Sequence, residues 1–352
     1  MKARSPSQAP VTLRPKRRSW WPLLLVIVLA VGGYGAVQWF LSPLDTNDTR
    51  LRELEVLPGW GASRIAVALA AEGLIREAGL FSLYLRVVGL DTAIGEGLYD
   101  LSPAMSTPEL ARTLAAGGRP RLVRVTIPEG FRIIDVAERL AEAGLAEVET
   151  FMALFTAPGD LAPEWLPEGA TLEGYLFPAT YDIPVRSTPE AVAAMMVRRF
   201  QQELTNEVRQ ALAAQGFSVH DWVILASIVQ SEAGTDTEMP IIAGVFRNRL
   251  DIGMPLQADP TVAYGFGKRM PELDVPGGDL RRDHPWNTYT RVGLPQGPIS
   301  NPGRPALLSV LHPQRENAQG ERYLFFLHGR NREFRPNLTL EEHNRDVQQF
   351  LR

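Results

Sequence analysis

The chain has no cysteine among its 352 residues. This absence excludes disulfide bonds, thiolate metal sites and a cysteine nucleophile. Cysteine usage therefore gives no indication of whether the protein works in an oxidising or a reducing compartment. A positive net charge is also missing, because the formal charge is -4. Since phosphate backbones are bound by basic surfaces, this balance argues against a nucleic-acid-binding protein. The apolar share of 45% and the charged share of 22% are ordinary for a globular protein of two or three domains.

Several signatures of cofactor and metal chemistry are missing too. The GFGK run at residues 265–268 lacks both the preceding loop and the following hydroxyl residue of a phosphate-binding P-loop. The five histidines are dispersed, and no two have the i, i+4 spacing of a helical zinc site. No serine stands in a G-x-S-x-G turn, which weakens a serine hydrolase. We therefore expect no cofactor and no metal.

One long run is free of charge. Residues 20–41 carry no charged side chain and are long enough to cross a hydrocarbon core of roughly 30 Å as a helix. Four basic residues stand close before the run, namely Arg14, Lys16, Arg17 and Arg18. The positive-inside rule then predicts a cytoplasmic tail at residues 1–19 and the rest of the chain outside. A cleaved signal peptide is the alternative, because the strongest apolar core is short and small residues follow it.

A weak internal repeat follows a polar linker, predicted at residues 42–54. The sequence from Val56 resembles the sequence from Thr126, and each copy has a β-type pair, a Pro/Gly turn and an amphipathic helix ending at Gly73 or Gly144. We interpret these copies as small strand-turn-helix units, and their spacing alone favours a recurrent packing solution that binds no ligand.

The remaining elements predict an α+β fold. Pro189 opens a predicted amphipathic helix that continues to about Ala214, and a second helix begins at Asp221. The segment LEGYLFPATY at residues 172–181 is rich in aromatic residues, glycine and proline, and is not expected to be helical. Short strands and scattered helices without regular alternation are typical of α+β architecture.

Glu232 closes the apolar helix DWVILASIVQSEAG. It follows Ile228 by four residues and Leu225 by seven, so these side chains share one helix face. A carboxyl group on an apolar face loses hydration, which raises its pKa and makes it a candidate proton donor at neutral pH. The alternative is a helix end that simply emerges into water.

Polar and aromatic residues cluster downstream of Glu232 and lack a phosphate-binding loop. Amides, hydroxyls and aromatic rings suit an uncharged, hydroxyl-rich ligand, which suggests a sugar. The candidate ligand-binding residues are Asn248, Gln257, Asp259, Tyr264, Asn287 and Tyr289. The alternative is that these residues brace irregular loops.

Several motifs in this order resemble the endolytic murein transglycosylase family, also called YceG-like or MltG. The motifs are LEGYLFPATY, ASIVQSEAG, VFRNRL, LQADPTVAYG, WNTY, GLPQGPISNPG, RYLFF and EEHN. The resemblance covers roughly Val56 to Arg352 together with the apolar run. It implies an inner-membrane protein with one transmembrane helix, a LysM-like module at residues 55–125 and an α+β catalytic region at residues 126–352 on the periplasmic side.

The family resemblance also implies a role for Glu232 as catalytic acid and base. Many relatives have a second glutamate at the position of Gln230, so the departure here favours Glu232 as the proton carrier. Other departures are Trp286 where tyrosine is common, Gln296 where proline is common, and the absence of histidine from GRNREF. These differences weaken the assignment of binding residues at positions 332–334.

The implied reaction cleaves the β-1,4 bond between N-acetylmuramic acid and N-acetylglucosamine inside glycan strands and forms a 1,6-anhydro ring, which limits the length of nascent strands. The implied partners are peptidoglycan strands, the membrane and penicillin-binding peptidoglycan synthases, without nucleic acid. A non-catalytic wall-binding scaffold for synthases is one alternative. A hydrolase that uses water is another, because Asp259 would supply the second carboxylate it needs.

Overall fold

A computed structural model describes residues 20–351 of the chain. The predicted cytoplasmic tail, with its basic residues, lies outside the described residues. The chain divides into two compact units, the first ending at Arg121 and the second starting at Leu122. This division falls four residues before the predicted module boundary, and the identity of the two units as LysM-like module and catalytic region stays a prediction.

The first helix, α1 (Trp21–Leu41), is uncharged and its side chains are largely exposed. Its 21 residues correspond to a length of about 31 Å. Within residues 20–351 it is the one unbroken helix long and apolar enough to cross a membrane, a test that a signal sequence also passes. The uncleaved membrane helix and the cleaved signal peptide therefore both stay predictions.

The rest of the first unit has the order strand, helix, helix, strand, helix. Its elements are β1 (Arg52–Val56), α2 (Ala62–Ala71), α3 (Ala78–Val87), β2 (Gly97–Leu101) and α4 (Thr107–Ala115). The two strands pair antiparallel, with Arg52 opposite Leu101 and Val56 opposite Gly97. Alternation in RELEV points Leu54 and Val56 into the core and both glutamates outward.

The second unit begins with the same order of elements. They are β3 (Leu122–Thr126), α5 (Ile133–Glu142), α6 (Val148–Thr156) and β4 (Thr180–Pro184), and β3 pairs antiparallel with β4. The strand-turn-helix prediction is confirmed in both copies. Gly73 and Gly144 follow the two helices with φ values of 64° and 75°, the left-handed conformation that a glycine cap provides.

The larger part of the second unit is helical. It contains α7 (Pro189–Gln201), α8 (Asn206–Ala214), α9 (Val219–Glu232), α10 (Met239–Asp251), α11 (Asp259–Gly265), α12 (Arg304–Leu311), β5 (Phe325–His328), β6 (Phe334–Asn337) and α13 (Leu340–Phe350). The strands β5 and β6 form an antiparallel hairpin. The mixture of helices and small antiparallel sheets confirms the α+β prediction.

Two helix predictions need correction. The single helix predicted from Pro189 to about Ala214 is two helices, because Thr205 caps the second one by accepting a hydrogen bond from the N–H of Val208 at 3.3 Å. The helix predicted to begin at Asp221 begins at Val219. Ser218 and Asp221 exchange side-chain and backbone hydrogen bonds there as a capping box.

Helix α9 forms the centre of the second unit. Its residues 222–229 are all buried, and it packs against α10 and α12. A helix that is apolar on all sides belongs inside a protein core. This burial fixes the direction of α9 and places its last residue, Glu232, where the core ends.

Candidate active site

Glu232 is the last residue of α9 and is half-buried. No hydrogen bond or ion pair of its carboxyl group is found among residues 20–351. The pKa of Glu232 is raised to about 8, mainly by burial and also by the charge of Asp259, while the charge of Arg249 acts in the opposite direction. A pKa of about 8 favours the protonated carboxyl of Glu232 at neutral pH, and the partial burial of the residue distinguishes it from a fully solvated helix end.

Asp259 and Tyr289 form a hydrogen-bonded pair near this carboxyl group. Asp259 starts α11, and its Oδ1 accepts a hydrogen bond from the phenol oxygen of Tyr289 at 2.5 Å. Burial and this hydrogen bond raise the pKa of Tyr289, and the charge of Glu232 adds to the effect. Tyr289 thus stays a neutral hydrogen-bond donor, while Asp259 supplies a negative charge close to Glu232.

Arg249 supplies the opposing positive charge, and sequence reasoning did not select it. Its Nε donates to the carbonyl oxygen of Leu324 at 2.7 Å, and its Nη1 donates to that of Leu256 at 2.6 Å. Burial lowers the pKa of Arg249 to about 10, and the charges of Tyr289 and Glu232 oppose this shift. The guanidinium remains charged at neutral pH and would stabilise an ionised Glu232.

Gln257 lies on the connection between α10 and α11. Its φ of 52° is in the left-handed region, which is uncommon for a residue with a side chain. The backbone N–H donates to the carbonyl oxygen of Thr288 at 3.1 Å, while the side chain is exposed. Gln257 precedes Asp259 by two residues, and its exposed amide is accessible to a ligand.

Tyr264 is held by a second buried carboxyl group that sequence reasoning missed. Its phenol oxygen donates to Oε2 of Glu173 at 3.1 Å, and its ring contacts Trp286 with centroids 5.7 Å apart. Glu173 is 1% exposed, and burial raises its pKa to about 8. The N–H of Ile133, at the start of α5, also donates to Glu173 at 3.1 Å.

Asn301 is the other residue that sequence reasoning missed. Its Nδ2 donates to the carbonyl oxygen of Phe131 at 2.8 Å, and its Oδ1 accepts from the N–H of Leu176 at 2.9 Å. Together with Glu173 it ties the loops before α5, β4 and α12 to one another. The only sequence signal was that both residues lie within the motifs LEGYLFPATY and GLPQGPISNPG.

The side-chain amides of Asn248 and Asn287 are bonded within the protein. Asn248 is fully buried, and its Nδ2 donates to the carbonyl oxygens of Arg315 and Tyr323. Asn287 is also buried, and its Nδ2 donates to the carbonyl oxygens of Leu280 and Arg282. Both amides brace loops in this structure, and the role of Asn248 and Asn287 in ligand binding stays a prediction.

Gln230 has a structural contact of its own. Its Oε1 accepts a hydrogen bond from the N–H of Gly303 at 2.9 Å, just before α12. The residue therefore connects the last turn of α9 to the loop before α12. The sequence departure at this position leaves Glu232 as the free carboxyl of the segment.

The surroundings contain two further features. Among residues 20–351 no group of three or more His, Asp or Glu side chains has the arrangement of a metal site, and the prediction that no metal binds stays a prediction. A surface cavity of about 410 Å³ is lined in part by Arg199, Trp222 and Arg304. Trp222 precedes Glu232 by ten residues, about 15 Å along α9, so this cavity does not surround the acid.

The second unit is thus an α+β fold that presents a carboxyl of raised pKa at the end of its core helix, next to an Asp–Tyr pair and a buried arginine. The sequence matches the YceG-like family over residues 54–349. The chain belongs to the YceG-like family.

Named relatives and a solved structure are similar over most of the chain. An endolytic murein transglycosylase of Streptococcus pneumoniae D39 is 31% identical over 320 residues, which cover 82% of this chain and 58% of the relative. One from Bacillus subtilis 168 is 29% identical over 342 residues, covering 92% and 91%. The crystal structure of a yceG-like protein from Listeria monocytogenes has a TM-score of 0.54 and 30% identity, and the match covers 84% of this chain and 99% of that one. The chain thus spans little more than half the length of the pneumococcal relative.

Proposed function

We propose that the chain is an endolytic lytic transglycosylase that cleaves the β-1,4 bond between N-acetylmuramic acid and N-acetylglucosamine within peptidoglycan strands. The names of the pneumococcal and Bacillus relatives support this substrate class. The observation that carries the chemistry is the pKa of Glu232, raised to about 8 on a carboxyl without a hydrogen-bond partner among residues 20–351. Such a group holds a proton at neutral pH and is free to transfer it.

The reaction needs two proton transfers and no water. In the first, Glu232 donates its proton to the glycosidic oxygen as the bond from C1 of the muramic residue to that oxygen breaks. In the second, the carboxylate of Glu232 accepts the proton of the C6 hydroxyl while that oxygen bonds to C1 and closes the 1,6-anhydro ring. Proximity of the internal hydroxyl replaces the second catalytic group of a hydrolase.

The charges beside Glu232 suit both steps. Asp259 keeps the acid protonated before cleavage, because its negative charge opposes ionisation of Glu232. The same charge stabilises the positive character that develops at C1 in the transition state. Arg249 then stabilises the carboxylate that remains after proton donation, so one neighbour favours each protonation state.

The glycan contacts that we propose are fewer than the sequence suggested. Gln257 offers an exposed amide, Tyr289 a phenol, and Tyr264 an aromatic ring beside Trp286. Aromatic faces and hydrogen-bonding side chains are the groups expected in a site for a hydroxyl-rich ligand. Asn248 and Asn287 act instead by holding the loops that carry these groups.

We further propose that α1 is an uncleaved inner-membrane anchor, with the N-terminus cytoplasmic and both units periplasmic. The end of α1 packs on the first unit through Phe40 and Tyr84, whose ring centroids are 6.2 Å apart, which supports a retained helix. A LysM-like role for the first unit is supported by its strand-helix-helix-strand order. Wall synthases as partners rest on the family resemblance alone.

The main test is digestion of purified glycan strands by the full chain in detergent, with mass analysis of the strand ends. We expect internal cleavage with 1,6-anhydromuramyl ends, and we expect these ends to disappear with Glu232→Gln. Reducing ends would indicate hydrolysis through Asp259 instead. Binding without any cleavage would indicate the non-catalytic scaffold.

Orientation is tested by a reporter fused after Arg352 that is active only outside the cytoplasm. Activity supports the proposed topology. A signal from a matched cytoplasmic reporter at the same position would contradict it.

A further inference from the structure

Helix α3 of the first unit has an exposed apolar side. Leu80, Leu83 and Val87 recur at the three- and four-residue spacing that places side chains on one side of a helix. We call these three residues the α3 face. Leu83 is 54% exposed and Val87 is 77% exposed, whereas Phe81 and Leu85 on the other side of the helix are fully buried. The helix therefore has one apolar side in the core and a second one that the described part of the unit leaves open.

Tyr84 connects the α3 face to α1. It follows Leu80 by four residues and precedes Val87 by three, so it lies on the same side of α3. Its ring meets the ring of Phe40 edge-on, with centroids 6.2 Å apart. Because Phe40 belongs to the last turn of α1, the apolar surface of α1 continues through this ring pair onto the α3 face.

The junction between α1 and the unit is fixed by several contacts. The guanidinium of Arg76 lies over the ring of Trp39, 4.8 Å from its centroid, and Nη1 donates to the carbonyl oxygen of Ser42 at 2.7 Å. The hydroxyl of Thr107 donates to the carbonyl oxygen of Phe40 at 2.8 Å. These contacts hold the unit directly against the end of α1.

The segment after α1 is also bound to the unit. The N–H of Asp45 donates to the carbonyl oxygen of Pro103 at 3.1 Å, and the hydroxyl of Ser102 donates to that of Asp48 at 2.9 Å. A segment held in this way does not act as a free spacer. The height of α3 relative to the end of α1 is therefore set by the fold.

We propose that the α3 face lies in the headgroup layer of the bilayer that α1 crosses. This inference rests on the proposed anchoring by α1. Tryptophan, tyrosine and arginine are the residue types found at membrane interfaces, and Trp39, Tyr84 and Arg76 form the junction. An apolar helix side is stabilised when it enters the boundary between headgroups and acyl chains.

Lipid fits this face better than a second copy of the chain does. Lipid that surrounds α1 as far as Phe40 is already adjacent to Tyr84, so contact with the α3 face needs no separate binding event. Arg86 lines the same shallow groove as Leu83, and its long side chain can cover apolar surface while its charge stays in water. Burying the leucine and valine side chains of the α3 face removes apolar surface from water, which favours holding the unit at the membrane surface.

The test uses the full chain in lipid vesicles, with a polarity-sensitive fluorophore on a single introduced cysteine. Since the sequence has no cysteine, each label is unique. Leu83→Cys reports on the α3 face. Leu57→Cys is the matched control, because Leu57 is 42% exposed but follows β1 at the strand end away from the α1 junction. Leu29→Cys, within α1, reports separately on anchoring.

We expect a lipid-borne nitroxide to quench the label at position 83 several-fold more than the label at position 57, and aqueous iodide to show the reverse order. The label at position 29 should be quenched by the lipid nitroxide. Iodide quenching at 83 equal to that at 57, with lipid quenching at 29, would overturn the α3-face proposal while leaving the anchor intact. Protection of 83 from both quenchers would overturn it in favour of a second copy. Lipid quenching at neither 29 nor 83 would reject the anchor, and the proposal with it.

Discussion

The end of α9 and the loop before β4 each hold a glutamate whose pKa is raised to about 8. Burial is the largest cause in both places. The two sites differ in what their carboxyl groups contact. Glu173 accepts from Ile133 and Tyr264, while the carboxyl of Glu232 has no hydrogen bond or ion pair within residues 20–351. A raised pKa alone therefore does not identify a catalytic acid, because a proton is available for transfer only where the carboxyl is uncommitted.

The largest expected difference between the two glutamates is in catalysis. Glu232→Gln removes the only proton that we assign to the reaction, so cleavage of glycan strands should fall by about 10²–10⁴-fold, the usual contribution of general acid–base catalysis. Glu173→Gln keeps an oxygen acceptor for Ile133 and should retain most activity. Initial rates of strand cleavage measure both. Equal losses of activity in the two variants would show that the difference in hydrogen bonding does not separate a catalytic glutamate from a structural one.

For the free energy of unfolding we expect the opposite order, with the larger loss at Glu173 than at Glu232. Glu173→Leu leaves the buried N–H of Ile133 and the hydroxyl of Tyr264 without their acceptor, at about 1–3 kcal/mol for each group. Urea unfolding should detect this loss, whereas Glu232→Leu breaks no hydrogen bond and should unfold close to the parent.

The pH dependence of stability sharpens the same point. The pKa of Glu173 is raised from 4.5 to about 8 in the folded protein, so the folded state binds the proton more tightly than the unfolded one. Its stabilising contribution is complete below pH 4.5 and is lost as the pH rises towards 8. Glu173→Gln should flatten this part of the stability profile. An unchanged profile would contradict a protonated Glu173.

A smaller effect should distinguish the charges around Glu232. Activity should fall as the pH rises past about 8, where the acid ionises. Asp259→Asn removes a negative charge that raises the pKa of Glu232, so the alkaline fall should move to lower pH, while the asparagine carbonyl can still accept from Tyr289. Asp182→Asn is the control, because Asp182 is exposed and bonds Arg124 on the β3–β4 sheet. A shift to higher pH with Asp259→Asn would contradict the assigned electrostatics.

The smallest effect concerns Gln230, whose side chain is hydrogen-bonded in the folded protein, as that of Glu173 is. Gln230→Glu keeps an acceptor for the N–H of Gly303, so the free energy of unfolding should change by about 0.5 kcal/mol or less. Gln230→Ala loses that hydrogen bond and should cost about 1 kcal/mol. Thermal unfolding of the two variants side by side tests this difference, and an equal loss would show that the contact with Gly303 is unimportant.

Sequence periodicity was sufficient for some of these features because they depend on neighbours along the chain. The apolar spacing before Glu232 predicted a buried helix face, and the two strand-turn-helix copies followed from local turns and caps. The division between α7 and α8 was missed, although Thr205 is a good capping residue, because the amphipathic pattern continues across it. The amphipathic pattern fits one long helix as well as two shorter ones, and residue preferences alone did not decide between them.

Side-chain contacts between distant segments were beyond such reasoning. Asn248 and Asn287 have the composition of sugar-binding residues, yet both are buried and occupied by loop carbonyls. Arg249 stands in the motif VFRNRL downstream of Glu232, but its effect on Glu232 depends on how α10 packs beside the end of α9. The side-chain types therefore predicted groups suited to a hydroxyl-rich ligand, but they did not show which of these groups are occupied by contacts within the protein.

The amino-acid order by itself determined an apolar N-terminal helix, an α+β fold and a carboxyl at the end of a buried helix, since each follows from spacing within one segment. Only the tertiary structure decided that, within residues 20–351, the carboxyl of Glu232 has no hydrogen-bond partner while Glu173 accepts hydrogen bonds from Ile133 and Tyr264. The physical reason is that hydrogen bonding and dehydration of a side chain depend on groups brought together from positions 133, 264 and 301, whose proximity no local pattern encodes.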